Sequence, residues 1–127
     1  MDYNIKTVVD ENIMQTLIEE ENKSRVELNK GIGMWGRRAL NYIYSDDAPF
    51  PLEIELEDNN MINEYGKLID RKAEEMYETM RPKLASLPQY QMTGDYMSDL
   101  QKNNEIKRII EEQIYAELIY VKELVRP

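Results

Sequence analysis

Apolar residues recur every three or four positions along most of the chain, which is the period of an amphipathic α-helix. The pattern predicts helices over residues 11–30, residues 34–44 and residues 61–81, and a last helix of roughly 30 residues after Gly94-Asp95. The apolar stripe of the last helix is broad enough to serve both a core and a partner. We therefore predict an all-α fold, a bundle of three to four helices with a long C-terminal helix.

Glycine, proline and asparagine mark the boundaries of these helices. Gly31 is expected to end the first helix, and the proline-containing segment 45–51 ends the second. Asn59 or Asn60 is a suitable cap for the third helix. Pro82 is expected to kink or end that helix, because proline disfavours the helical state of the residue before it.

Residues 52–57 alternate apolar and acidic side chains, which is typical of a β-strand. A strand here could pair with residues 1–9, predicted as an extended arm, to form a small β-hairpin near residues 50–57. A short helical turn after Pro51 is the alternative, and the sequence leaves the two open. In either case we predict one helical domain over residues 1–127.

The residue types that are missing exclude several kinds of chemistry. The 127 residues include 42% apolar side chains, enough for one core, but no cysteine and no histidine. Disulfides, zinc–thiolate sites, thiol nucleophiles and histidine-based catalytic triads are therefore excluded. No pair of carboxylates stands out as an acid and base, so we predict no enzyme activity, no catalytic residue, no metal site and no cofactor.

The charge of the chain is strongly acidic, with a formal net charge of −9. This balance disfavours direct binding to nucleic acid or to an anionic membrane. Between residues 46 and 80, acidic residues outnumber basic ones by eleven to three. One interpretation is an acidic face that docks on a basic protein surface, and the other is an ordinary solvated helix surface. The first interpretation makes four residues candidates for partner binding: Glu53, Glu55, Glu57 and Asp58.

Residues 31–36 match the glycine spacing of a dinucleotide-binding loop, Gly-x-Gly-x-x-Gly. That loop needs a buried strand before it, whereas the preceding residues are predicted to be helical. We therefore interpret the glycines as a tight turn between two helices. Trp35, Arg37 and Arg38 form the one basic spot with an aromatic neighbour, so they are candidates for contact with a phosphate or an acidic partner. The alternative is that Trp35 anchors the core and the arginines pair with surface acids.

The sequence also bears on where the protein functions. Its apolar runs are far shorter than the roughly 20 residues that span a bilayer. Residues 1–6 lack the basic-then-apolar order of a signal peptide. We therefore expect a cytoplasmic protein.

Three segments resemble a known family in the same order along the chain. Residues 33–43 resemble the signature of the TnpV-like proteins encoded in bacterial transposons and conjugative elements. Residues 63–76 resemble the central helix of that family, and residues 103–120 its last helix. The first 30 residues and segment 49–51 depart from the pattern, as does the proline-containing stretch 82–88, so the chain resembles a diverged member. The resemblance implies an accessory protein of a mobile element in a Firmicutes-type bacterium, with no established catalytic residues.

The leading hypothesis for function is therefore a non-enzymatic accessory or regulatory protein of a mobile genetic element, acting by protein–protein binding. One alternative is an acidic, DNA-mimicking inhibitor of a nucleic-acid-binding host defence enzyme such as a CRISPR nuclease. Another is a small DNA-binding regulator that uses Arg37 and Arg38. The broad stripe of the last helix also makes a homo-oligomer plausible.

Overall fold

A computed structural model describes Gln15 and residues 30–127. The predicted arm over residues 1–9 and the predicted helix over residues 11–30 lie almost wholly outside the described residues. Within these limits every regular element is helical, which confirms the all-α fold class. The elements are α1 (Met34–Ile43), α2 (Phe50–Asp58), α3 (Ile62–Ala85), a 3-10 turn (Pro88–Tyr90), α4 (Tyr96–Ile114) and a π-helical turn (Tyr115–Ile119) that continues α4.

The segment that alternates apolar and acidic residues is the helix α2, so the β-hairpin near residues 50–57 does not form within the described residues. Leu52 and Leu56 are both buried, and their spacing of four places them on one face of a helix. Pro51 lies in the first turn, where its missing N–H costs no hydrogen bond. The alternation of apolar and acidic residues therefore does not indicate a strand, because the two buried leucines follow a four-residue helical repeat.

The two asparagines before α3 do not cap it, which corrects the prediction. The N-cap residue is Met61, without a side-chain cap. The Nδ2 of Asn59 instead donates to the carbonyl oxygen of Glu55 at 2.8 Å, at the C-terminal end of α2. Asn60 has a φ of 54°, a left-handed conformation that asparagine tolerates better than most residues. Both asparagines thus serve the turn that ends α2.

Helix α3 continues one turn beyond Pro82 to Ala85, rather than ending at residue 81. Proline removes the hydrogen bond that its own N–H would donate, but it leaves its carbonyl group available. The backbone N–H of Ser86 donates to the Pro82 carbonyl oxygen at 3.1 Å and closes the last turn. The break that the prolines predict therefore falls at residues 86–88.

Helix α4 begins where the sequence predicts. Asp95 is its N-cap, and the carboxylate accepts a hydrogen bond from the backbone N–H of Ser98 at 3.0 Å. The helix is shorter than predicted, because regular structure ends at Ile119. The following residues pack back against the core, and the backbone N–H of Val125 donates to the hydroxyl of Tyr65 at 3.2 Å.

Residues Ile32–Pro127 form one compact unit. Helices α1, α3 and α4 supply most of its core, and Leu52, Leu56, Tyr90 and the turn after α4 close it. The prediction of one domain over residues 1–127 stays a prediction, because the first unit, Met1–Gly31, lies mostly outside the described residues. Among the helices that the structure describes, none is both long enough and apolar enough to cross a membrane.

Candidate binding surfaces

The glycine-rich segment is the place where α1 and α3 cross at close range. A Cβ atom on Gly36 would lie 2.2 Å from the carbonyl oxygen of Gly66 and 2.5 Å from Cγ2 of Ile32. A Cβ atom on Gly66 would lie 2.7 Å from Cδ1 of Ile32. At Gly36 the nearest atom belongs to the backbone, so only hydrogen fits there and the two backbones approach each other directly. At Gly66 the end of the Ile32 side chain would have to shift to admit a Cβ atom.

The carboxylate of Asp70 binds the N-terminus of α1 across this crossing. It accepts hydrogen bonds from the backbone N–H groups of Gly33 at 2.5 Å and Gly36 at 2.7 Å. These N–H groups have no partner within the helix, and the partial positive charge at a helix N-terminus favours an anion. Gly31, with a φ of 76°, makes the turn that precedes α1. The described residues show the turn before α1, while the helix predicted on its other side lies outside them. A carboxylate of the protein occupies the place that a phosphate takes in a dinucleotide-binding loop.

The outward side of α2 carries two exposed apolar residues followed by two acidic residues at its C-terminal end. Phe50 is 74% exposed and Ile54 is 40% exposed. Their spacing of four, together with Glu57 and Asp58 one turn further on, places all four side chains on one helix face, opposite the buried Leu52 and Leu56. We call Phe50, Ile54, Glu57 and Asp58 the α2 face.

The remaining two acidic candidates lie on the flanks of the α2 face. Glu53 lies towards Tyr44, together with Glu57. The pKa of Tyr44 is raised to about 12 by burial and by the negative charges of Glu57 and Glu53. Glu55 lies on the other flank, where its Oε1 is 3.9 Å from an Nη2 of Arg126. The four acids are therefore spread over the exposed side of α2, and they do not converge on one point.

Trp35 and Arg38 lie together on α1, next to the ring of Tyr115. Trp35 is 8% exposed, which confirms it as a core residue. The guanidinium of Arg38 lies 4.9 Å above the Trp35 ring and 5.8 Å from the ring of Tyr115. The two aromatic rings meet edge to face, 5.4 Å apart. Such cation–π contacts fix the guanidinium without neutralising it.

The arginines do not pair with surface acids as the alternative interpretation expects. Within the described residues, neither Arg37 nor Arg38 has a carboxylate within 4.0 Å, whereas Arg71 and Arg108 pair with carboxylates on their own helices. Arg37 is exposed on the surface of α1. Arg38 lines a concave surface.

That concave surface is a groove between α1, α3 and α4 with a volume of about 630 Å³. We call it the three-helix groove. Its apolar lining consists of Met34, Trp35, Ile106 and Ile110, of which only Met34 is exposed, and Asn103 and Asn104 add two amides. Its charged and phenolic lining consists of Arg38, Tyr77, Arg81, Lys107 and Glu111.

The single carboxylate of the groove already has partners within it. The hydroxyl of Tyr77 donates to Oε1 of Glu111 at 3.1 Å, and the Nζ of Lys107 lies 3.9 Å from the same oxygen. Burial and Glu111 raise the pKa of Tyr77 to about 12, while Arg38 and Arg81 act in the opposite direction. Both guanidinium groups are therefore close enough to Tyr77 to influence its ionisation.

Sequence patterns could not identify most of this groove. Trp35 and Arg38 carry a local signal, because an aromatic and a basic residue lie three positions apart in the sequence. Tyr77 belongs to the apolar stripe predicted for the third helix, and Arg81 and Lys107 look like ordinary exposed positions in the sequence. No group of three or more acidic residues that could hold a metal ion occurs within the described part of the chain.

Comparison with known families gives one match. The profile of a family described as "Transposon-encoded protein TnpV" matches residues 16–119. The chain belongs to the TnpV family. No curated protein and no solved structure matches the chain.

The segments that resemble the TnpV family form a connected part of the fold. Residues 33–43 contain α1 and its N-terminal glycines, and residues 63–76 contain Gly66 and Asp70, which meet those glycines. Residues 103–120 supply the α4 side of the three-helix groove. The TnpV resemblance therefore lies in the α1–α3 crossing and in the groove beside it, while the α2 face lies outside the three segments.

Proposed function

We propose that this TnpV-family protein is a non-enzymatic accessory factor of a transposable element that binds a protein partner. The α2 face docks on a basic surface of a nucleic-acid-binding protein. The observation that carries the proposal is the exposure of Phe50 at 74%, one turn before Ile54 on the helix face that also carries Glu57 and Asp58.

Exposed aromatic and aliphatic side chains in the centre of a polar rim are typical of protein-binding surfaces. Burying Phe50 and Ile54 against a partner would supply apolar contact area. The adjacent Glu57 and Asp58 would orient the partner. A helix face of this kind is suited to binding a protein rather than catalysing a reaction on a small molecule.

Charge determines which kind of partner the α2 face favours. The chain has a net charge of −9, and Glu53, Glu55, Glu57 and Asp58 are concentrated on one short helix. An acidic surface attracts a basic one at long range and raises the rate of association at low salt. Proteins that bind nucleic acid present such basic surfaces. The transposon origin of the TnpV family makes DNA-binding proteins of the same element the first partners to test.

The test measures binding of the purified protein to the transposase and to the other DNA-binding proteins of its element, at low and moderate salt. Neutralising the four acids of α2 together (E53Q, E55Q, E57Q and D58N) should weaken binding at low salt by more than about tenfold and flatten its salt dependence. The double variant F50A/I54A should weaken binding at every salt concentration, because apolar contacts are not screened.

A matched control neutralises four exposed acids of α3: Glu64, Glu74, Glu75 and Glu78. This variant removes the same number of charges from a different surface and should keep most of the affinity. Equal losses in the two charge variants would show a general effect of net charge and would contradict docking through α2. Binding that neither α2 variant weakens would overturn the proposal as well.

The alternative function, inhibition of a nucleic-acid-binding host enzyme, uses the same α2 face but has a different effect on the partner. If the partner is a host nuclease, the protein should compete with DNA for the basic groove of that enzyme. A competition assay with labelled DNA separates this outcome from accessory binding, in which the partner retains its DNA.

A further inference from the structure

We propose that the three-helix groove binds the phosphomonoester group of a small organic molecule, held by Arg38, Arg81 and Lys107. This site is distinct from the α2 face and does not depend on the proposed function.

The charge in the groove is opposite to that of the whole protein. Three cationic side chains line it, against one carboxylate, Glu111. That carboxylate is engaged by Tyr77 and Lys107. Arg38 and Arg81 have no carboxylate within 4.0 Å among the described residues, although the chain has 25 acidic residues and only 16 basic ones. Within the described part of this acidic protein, the two guanidinium groups therefore remain available for an external anion.

Phosphate suits this set of groups better than a carboxylate does. A guanidinium donates in a planar fork that matches phosphate oxygens, and a phosphomonoester has more than one negative charge near neutral pH. Arg38 is held in position by the rings of Trp35 and Tyr115, so little freedom is lost when it binds. The hydroxyl of Tyr77, which donates to Glu111, adds a polar group to the lining of the same groove.

The size and lining of the groove indicate an organic ligand rather than inorganic phosphate alone. Its volume of about 630 Å³ exceeds what one phosphate group fills. Asn103 and Asn104 place amide donors and acceptors along the α4 side, and Met34, which is 51% exposed, provides apolar contact. A molecule of nucleotide size has the matching combination of phosphate, polar edges and an apolar ring.

A small ligand is favoured over a nucleic acid strand for an electrostatic reason. A strand would bring many phosphates towards a protein of net charge −9, and only those within the groove would meet cations. A monoester brings its whole charge to the groove.

The test uses the fluorescence of Trp35, the only tryptophan of the chain, which lines the groove beneath Arg38. The full chain is titrated with adenosine monophosphate, adenosine, inorganic phosphate and a short single-stranded oligonucleotide at constant ionic strength, with excitation at the red edge of tryptophan absorption. Calorimetry provides a second readout. Adenosine monophosphate should bind, adenosine should not, and inorganic phosphate should bind more weakly.

Variants in the groove locate the binding. R38Q and R81Q should each lower the affinity for adenosine monophosphate by about tenfold, and R38K should recover part of the loss for Arg38. The control R71Q removes an arginine that pairs with Glu75 outside the groove and should leave the affinity unchanged. Urea unfolding of each variant shows that it is folded.

Four results would overturn the proposal. These are no binding of adenosine monophosphate or phosphate by either readout, equal binding of adenosine and its monophosphate, unchanged affinity in both R38Q and R81Q, and tighter binding of the oligonucleotide than of the monophosphate. The last would assign the groove to a nucleic acid strand. Equal binding of phosphate and the monophosphate would keep the phosphate site and remove the contribution of the organic part.

Discussion

The carboxylate of Asp70 accepts a hydrogen bond from the backbone N–H of Gly36 at 2.7 Å, although 34 residues separate them in the sequence. The same carboxylate binds the N–H of Gly33, so one side chain of α3 satisfies two donors at the start of α1. The contact ties the direction of α1 to that of α3. Asp70 is counted among the acidic residues of segment 46–80 in the sequence. In the structure its carboxylate binds the start of α1, so it does not contribute to an acidic docking surface.

We predict that D70A lowers the free energy of unfolding by about 2 kcal/mol, because two backbone N–H groups lose a charged acceptor. D70N should cost about half as much, since its amide oxygen still accepts one hydrogen bond. Urea unfolding followed by circular dichroism measures both. E74A is the matched control, because Glu74 is an exposed acid one turn further along α3. A D70A variant as stable as E74A would contradict the role of Asp70.

The glycine crossing gives a second prediction. In G36A the added methyl group would lie 2.2 Å from the carbonyl oxygen of Gly66, which belongs to the backbone and has little room to move. We expect a loss of about 3 kcal/mol, even though alanine favours a helix over glycine by about 1 kcal/mol. The same unfolding experiment measures the change.

Asn41 provides the control for this substitution. It is an exposed residue of the same helix, so N41A adds no contact in the core. N41A should leave stability the same or slightly higher, because alanine is the better helix former. If G36A were as stable as N41A, α1 and α3 would have to be further apart than the structure shows.

The sequence could predict α1, α3 and α4 because their apolar residues repeat at helical spacing and their ends carry local signals such as Asp95. The sequence could not decide whether α2 is a helix or a strand. Leu52 and Leu56 alone fit the four-residue repeat of a helix, but together with Ile54 they also fit the two-residue repeat of a strand. Packing decides this case, because only the two leucines reach the core. The arm and the first helix remain untested.

The candidate sites divide in the same way. Trp35 and Arg38 could be identified because they are close in the sequence, and so could the acids of α2. The groove could not, because Arg38 and Arg81 lie 43 positions apart and meet only after α1 packs on α3. The cap that Asp70 forms on α1 could not be predicted from the sequence either, because its partners are backbone groups whose position depends on how α1 and α3 cross.

The ionisation of Tyr77 gives the third prediction, a loss of stability at alkaline pH. Burial and Glu111 raise the pKa of Tyr77 from 10.0 to about 12 in the folded protein. The unfolded chain therefore loses the phenolic proton at lower pH than the folded protein does. The stabilisation from Tyr77 is complete below pH 10 and is lost as the pH rises from about 10 to about 12. Urea unfolding at a series of pH values should show stability falling across this range.

The Y77F variant separates Tyr77 from the other tyrosines. It should be less stable near neutral pH by about 1 kcal/mol, because the hydrogen bond to Glu111 is lost, and its stability should fall less steeply above pH 10. Part of the decline will remain, since the pKa of Tyr44 is also raised to about 12. In the double variant Y44F/Y77F the stability should therefore fall even less steeply with pH.

Tyr96 provides the control. It is 75% exposed, so Y96F should retain the steep decline in stability of the unmodified protein. If stability fell with pH equally steeply in Y77F and Y96F, Tyr77 would have the same pKa in the folded and unfolded chains. The hydrogen bond to Glu111 would then not retain the phenolic proton of Tyr77.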